Sequence, residues 1–221
     1  MVFNKDTLFI HLGKTGGISV ANYLCQVLRP PVVSVVRHNE FDLLKQIGHE
    51  IMVPWKRHAN LVEAKAYLKT KNINIEDFKI IIIVIRDPVE LDFSYYRHLR
   101  TPRYIKKLSQ KPIHAEKLAA AQKDYSFFAA KPFTHYQGDL KDYFEIDGVI
   151  PPNMRIIRFE NLSEEIPELV EPYSVKGMRF PHRNKSAENF ERPALSVVAI
   201  ESIKEKYRWI YDKGFYPLPE K

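Results

Sequence analysis

Lys14 stands among three glycines, Gly13, Gly16 and Gly17, with Thr15 beside it and Ser19 one helical turn further on. The stretch "LFIHLGKTGGIS" (residues 8–19) runs from apolar residues into that turn and then into a helical pattern. A strand that ends in a glycine-rich turn and feeds a helix is suited to an anion. The first N–H groups of the helix point outward, and its dipole adds positive potential there. Glycine lets the backbone come close to the ligand. Lys14 adds a charge that reaches past the turn, and Ser19 a hydroxyl. The bland alternative is a tight turn with a solvated lysine; Gly-Lys-Thr-Gly-Gly directly after a strand favours the anion. The full phosphate-loop pattern of nucleotide hydrolases wants a glycine at position 8, where Leu8 stands.

A second strand-to-helix turn carries Arg86. It follows the most apolar run of the chain, "IIIIVI" at residues 80–85, and opens "RDPVELDFSYY". In an open α/β sheet ligands bind at that end of the strands. Ser94 lies seven residues beyond Asp87, two turns along one helix face, so its hydroxyl can lie beside the guanidinium. An arginine fork donates in pairs and suits phosphate. Pairing of Arg86 with Asp87 or a neighbouring carboxylate explains the residue equally well on its own. Two anion sites at adjacent strand ends suggest one ligand with phosphates at two separated places.

The elements that must position these residues are legible in outline. Apolar, β-rich runs at residues 7–12, 32–36, 79–85 and 154–159 alternate with helical patterning, which predicts an α/β fold with a central, mainly parallel sheet flanked by helices. The first helix should end before Pro30 and Pro31. Asn60 should cap a helix with Leu61, Ala64 and Leu68 on its apolar face. Asp87 should cap another, with Pro88 in its first turn. Residues 97–111 hold six Lys or Arg and no acid, and read as a helix end passing into a loop at Thr101 and Pro102. Residues 111–131 read as one helix, and residues 193–213 as a long closing one.

At 221 residues a single domain spanning 1–221 is expected. The 34 Lys and Arg against 27 Asp and Glu give a net charge of +7, which favours anionic partners without choosing among them. One cysteine, Cys25, excludes an internal disulfide and a thiolate metal cluster. With no signal-peptide pattern and no apolar run of membrane-spanning length, the chain is expected in the cytoplasm.

The two turns together are similar to the cofactor motifs of sulfotransferases that use 3′-phosphoadenosine 5′-phosphosulfate. "KTGGIS" resembles their 5′-phosphosulfate loop and "RDPVELDFSYY" their 3′-phosphate motif. "KRHANLVEAKAYL" resembles a segment of carbohydrate O-sulfotransferases, including the heparan sulfate types and their bacterial relatives. "IIRFENL", "RNKS" and "YRWIYDKGFY" resemble later parts of the same family. The resemblance implies a three-layer fold like that of the phosphate-loop nucleotide hydrolases. It implies that Lys14 stabilises the leaving phosphate, that Thr15, Gly16, Gly17, Ile18 and Ser19 hold the 5′-phosphate, and that Arg86 and Ser94 hold the 3′-phosphate, with Ser186 helping to close the pocket. It further implies that His58 is the general base, a task for which imidazole is suited; without the resemblance, an exposed histidine beside Lys56 and Arg57 is the better account. No metal is implied. The acceptor would be a hydroxyl on a carbohydrate or small molecule, with basic loops favouring an anionic one. In departure from the family, Leu12-Gly13 replaces a usual Pro, Ile18 a usual Thr, and Leu91 a position that is often basic. His11, His38 and His49 receive no role, and surface loop is the better description of His135 and His182.

Two rival functions use the same residues. A kinase or nucleotide hydrolase would employ Lys14 and Thr15 with Asp87 beside magnesium, but Arg86 puts positive charge where the metal would sit. A non-enzymatic binder of RNA or acidic polymer would use the basic segments with Tyr95, Tyr96 and Tyr104 for stacking, yet no nucleic-acid module is recognisable.

Overall fold

β-Branched residues build the centre of the protein, seen here in a computed structural model that describes residues 1–36, 50–136, 138–175, 180 and 192–219. Its strands are β1 (Val2–Phe3), β2 (Thr7–Ile10), β3 (Val32–Val36), β4 (Glu50–Pro54), β5 (Ile80–Ile85) and β6 (Met154–Arg158). The helices are α1 (Gly17–Val27), α2 (Leu61–Lys69), α3 (Pro88–Leu99), α4 (Pro102–Ser109), α5 (Ala115–Ala121), α6 (Tyr125–Ala129), α7 (Leu162–Val170), α8 (Val197–Lys206) and α9 (Arg208–Asp212).

The strands form one sheet in the order β4-β3-β1-β2-β5-β6. β2, β5 and β6 run parallel, with Ile10 opposite Ile83 and Val84 opposite Ile157. β3 and β4 are also parallel. The two residues of β1 lie antiparallel to both β2 and β3, so the mainly parallel sheet that was expected is mixed at this one short strand. A two-residue strand carries no periodicity that the sequence could display.

The chain groups into two compact units: Met1–Ile85 with Gly138–Ala187, and Arg86–Gln137 with Glu188–Lys221. The first holds the sheet. Val20, Tyr23, Leu24 and Val27 of α1, with Leu162, Ile166 and Val170 of α7, pack on Phe9, Ile80, Ile82, Val84 and Ile157. By strand alternation Leu8, Ile10, Ile81, Ile83 and Ile85 face the other way, and they too are fully buried. The unit is therefore an α/β arrangement, a mixed sheet flanked by helices.

The second unit is helical among its described residues. Asp87 accepts from the N–H groups of Val89 and Glu90, both at 3.0 Å, and Pro88 opens α3, as the sequence predicts. Thr101 and Pro102 start α4 where a loop was expected, since proline suits a first helical turn as well as it suits a loop. The long helix expected over 111–131 is split. Asp124 takes the Phe127 N–H at 2.9 Å and caps α6 afresh. The closing helix starts at Val197, with Ser196 accepting from Ala199, and breaks at Tyr207. Buried in this unit, Lys206 Nζ lies 2.7 Å from Asp92 Oδ1, and the Tyr207 hydroxyl donates to the same oxygen at 3.4 Å. Burial raises the Asp92 carboxyl and lowers the Lys206 amine despite their pairing.

Candidate functional site

The turn after β2 is built from backbone conformations that few residues accept. Lys14 has φ 64° and Gly16 φ 75°, both in the left-handed region, with Thr15 between them. Left-handed residues turn successive N–H groups toward one side, which forms an anion-binding concavity. The Thr15 side chain is fully buried, and its hydroxyl donates to the Leu12 carbonyl at 2.7 Å, which pins the turn to the strand. That hydroxyl is therefore committed inward, leaving the Thr15 N–H as the group able to face a ligand. Gly16 is the N-cap of α1, without a side-chain cap, and its carbonyl accepts from the N–H groups of Ser19 and Val20 at 2.9 and 3.3 Å. Ser19 is buried, whereas the Ile18 side chain is exposed.

Both helix-start glycines are also required by packing. An added Cβ on Gly17 would stand 2.0 Å from Cδ2 and 2.2 Å from Nε2 of His11. One on Gly16 would lie 2.9 Å from Phe159 and from Leu162, at the junction of β6 and α7. His11, to which the sequence reading gave no role, is thus the wedge beneath the turn. It is buried, and its ring meets that of His58 edge-on, with centroids 4.4 Å apart. Burial holds the His11 pKa well below the usual histidine range, with nearby His58, the amino terminus and Arg57 adding to the effect, so the ring is neutral. A signal existed in the sequence: His11 lies between Ile10 and Leu12 at the end of a buried strand.

His58 is exposed and held by its backbone. The Tyr143 hydroxyl donates to its carbonyl at 3.0 Å. Two residues on, Asn60 and Glu63 form a capping box at the start of α2, with bonds of 2.8 and 3.2 Å. Lys56 Nζ pairs with Glu63 at 2.6 Å, and Trp55 stacks on Tyr67. The ring itself is oriented by Nδ1, which donates to the His11 carbonyl at 3.1 Å. A carbonyl only accepts, so Nδ1 carries the hydrogen in the neutral ring and Nε2 keeps the lone pair. The first unit therefore brings together the turn at residues 13–19, the His11 wedge and an imidazole whose Nε2 can take a proton.

In the second unit Arg86, Glu90 and Ser94 fall at successive i, i+4 positions at the start of α3 and along one of its faces. Glu90 was not anticipated, although its spacing from Arg86 is a readable signal. Arg86 Nη2 lies 3.7 Å from one Glu90 oxygen and Arg192 Nε 3.6 Å from the other. Arg86 is partly buried, and so is Ser94. Two guanidinium groups on one carboxylate make a locally cationic cluster that an incoming phosphate would contest. Ser186 and His182, with His38 and His49, lie outside the described residues. His135 is partly buried in the helical unit, where its ring is stacked 6.2 Å from that of Tyr207.

A cavity of about 390 Å³ lies at the opposite end of the sheet, lined by Phe3, Asn4, Pro31, Ile73 and Phe78, and has no part in this site. Among the described residues no group of three or more His, Cys, Asp or Glu could hold a metal ion, and no helix is long and apolar enough to cross a membrane. No protein-family model matches the chain, and it matches no curated protein and no solved structure.

Proposed function

We propose that the protein is a sulfotransferase that moves a sulfuryl group from 3′-phosphoadenosine 5′-phosphosulfate to an acceptor hydroxyl, one borne on a carbohydrate or a small molecule. The observation that carries the reading is the 3.1 Å contact of His58 Nδ1 with the His11 carbonyl oxygen, beside the left-handed Lys14–Gly16 turn. A base and an anion cradle on one support are what this transfer requires. The acceptor O–H gives its proton to His58 Nε2 as its oxygen bonds to sulfur. The bond from sulfur to the 5′-phosphate oxygen breaks, and the charge that develops there meets Lys14 and the N–H groups of the turn. Arg86 and Ser94 hold the 3′-phosphate, Ile18 and Ser19 line the 5′ side, and no metal is needed. The three-layer arrangement of phosphate-loop proteins belongs to the same proposal.

Thermal shift with 3′,5′-adenosine bisphosphate, ADP and ATP tests the nucleotide half. At about 100-fold its dissociation constant the bisphosphate should add roughly 2.7 kcal/mol, with neither comparator matching it. His58→Ala should keep that shift and lose labelled-sulfate transfer, whereas Arg86→Ala should weaken the shift itself. Equal stabilisation by ADP would overturn the nucleotide assignment, and normal turnover by His58→Ala would remove the base.

A further inference from the structure

Between Asp92 and Glu116 the chain has six Lys or Arg and no acid. Helix α4 sorts part of this charge onto one face. Arg103, Lys106 and Lys107 fall at i, i+3 and i+4 and are exposed, while Leu108 is buried and Ile105 partly so. The His98 and Tyr104 rings, 4.2 Å apart, fix the start of α4 to the end of α3. Arg100 is not part of the outward face: its guanidinium donates to the Tyr96 hydroxyl at 2.6 Å and to the Ala121 and Lys123 carbonyls at 3.2 Å. Just past α4 come exposed Lys111 and then Ile113, in the short turn Pro112–His114. Ile113 is 86% exposed, the highest value among the exposed large apolar side chains.

The geometry points to an anionic lipid surface as the partner of this face. A basic row alone fits any polyanion. An exposed isoleucine that follows this row in the chain, in the turn just past α4, fits a partner with acyl chains beneath a negatively charged layer, where the lysines and arginine meet headgroups and the apolar side chain enters the boundary below them. A linear polyanion offers nothing to the Ile113 side chain. This inference is independent of the sulfotransferase reading.

Co-sedimentation of the full chain with vesicles tests it. Binding should be found with phosphatidylcholine vesicles containing about a third phosphatidylserine and be absent with phosphatidylcholine alone, and it should weaken as salt rises. Lys106→Gln with Lys107→Gln should weaken binding roughly 30-fold, at about a tenfold loss per 1.4 kcal/mol and about 1 kcal/mol per basic residue. Ile113→Ser, which removes the apolar tip without changing the charge, should weaken vesicle binding at least about tenfold while leaving binding to a heparin column unchanged. All three side chains are exposed, so the variants should keep the parent's unfolding temperature. Vesicle binding unaffected by Ile113→Ser, or heparin retention with no vesicle binding, would overturn the proposal in favour of a soluble polyanion.

Discussion

Gly17→Ala isolates the contact between the anion turn and its wedge. The new methyl would start 2.0 Å from a ring carbon of His11, about 1.4 Å inside the 3.4 Å at which ordinary contact begins. Relief by ring movement is restricted, because His11 is 96% buried, stacks on Phe9 at 5.8 Å and meets His58 on another side. Overpacking of this kind costs about 1–3 kcal/mol, while alanine in place of glycine within a helix returns about 0.5–1 kcal/mol. The net loss should be about 1–2 kcal/mol, read as a fall in Tm of about 2–4 °C per kcal/mol for a chain of this size. The sign should reverse once the ring is gone. In a His11→Ala background Gly17→Ala meets no obstacle and should be neutral or stabilising by about 0.5 kcal/mol. A double-mutant cycle from urea unfolding followed by far-ultraviolet circular dichroism should therefore give a coupling of about 1–2.5 kcal/mol. Equal losses in both backgrounds would refute the wedge, and with it the claim that turn and base share one support.

Two further outcomes follow from buried ionisable groups. His11 stays neutral in the fold, whereas in the unfolded chain it takes up a proton near its ordinary 6.5. The unfolded state then binds more protons below that pH, so the stability from His11 is present above 6.5 and lost as pH falls, with a slope of up to about 1.4 kcal/mol per pH unit; denaturant midpoints at several pH values should fall more steeply for the parent than for His11→Gln. In the helical unit, Lys206→Met strands the Asp92 carboxylate beneath a fully closed surface. It should destabilise by about 3–5 kcal/mol, with Asp92→Leu added to it restoring most of the loss in urea melts; a single-variant cost under about 1 kcal/mol would show that the pair contributes little.

Local signals were legible where one residue type does one job. The isoleucine run became β5, Asp87 and Pro88 opened α3, and Asn60 opened α2. The misread segments are those where a local signal has two outcomes. Thr-Pro can close a loop or open a helix, and Asp124 breaks an alanine-rich stretch by offering its own cap. At the candidate site the glycines were visible but one reason for them was not. Gly16 is confined by Phe159 and Leu162, more than 140 residues away in sequence, and Gly17 by a histidine that its strand hides. Contacts of that span leave no periodicity to read.

That distinction shifts the weight of evidence onto Lys14. Gly16 and Gly17 would be needed for packing whatever the turn binds, so a glycine-rich signature after a strand is not by itself a sign of an anion. Lys14 differs in kind, a charged residue in a conformation that glycine adopts without strain. A lysine at φ 64° bears a left-handed penalty of about 1–2 kcal/mol that asparagine bears less. Strain of this sort is retained where the side chain has a task. Lys14→Asn should therefore leave Tm unchanged or raise it by a few degrees, and should abolish the selective shift with 3′,5′-adenosine bisphosphate. Thermal unfolding with and without the nucleotide reads both halves at once. If the asparagine variant lost more than about 1 kcal/mol and still bound the bisphosphate normally, the lysine would be a structural residue and the turn would lose its claim on the phosphate.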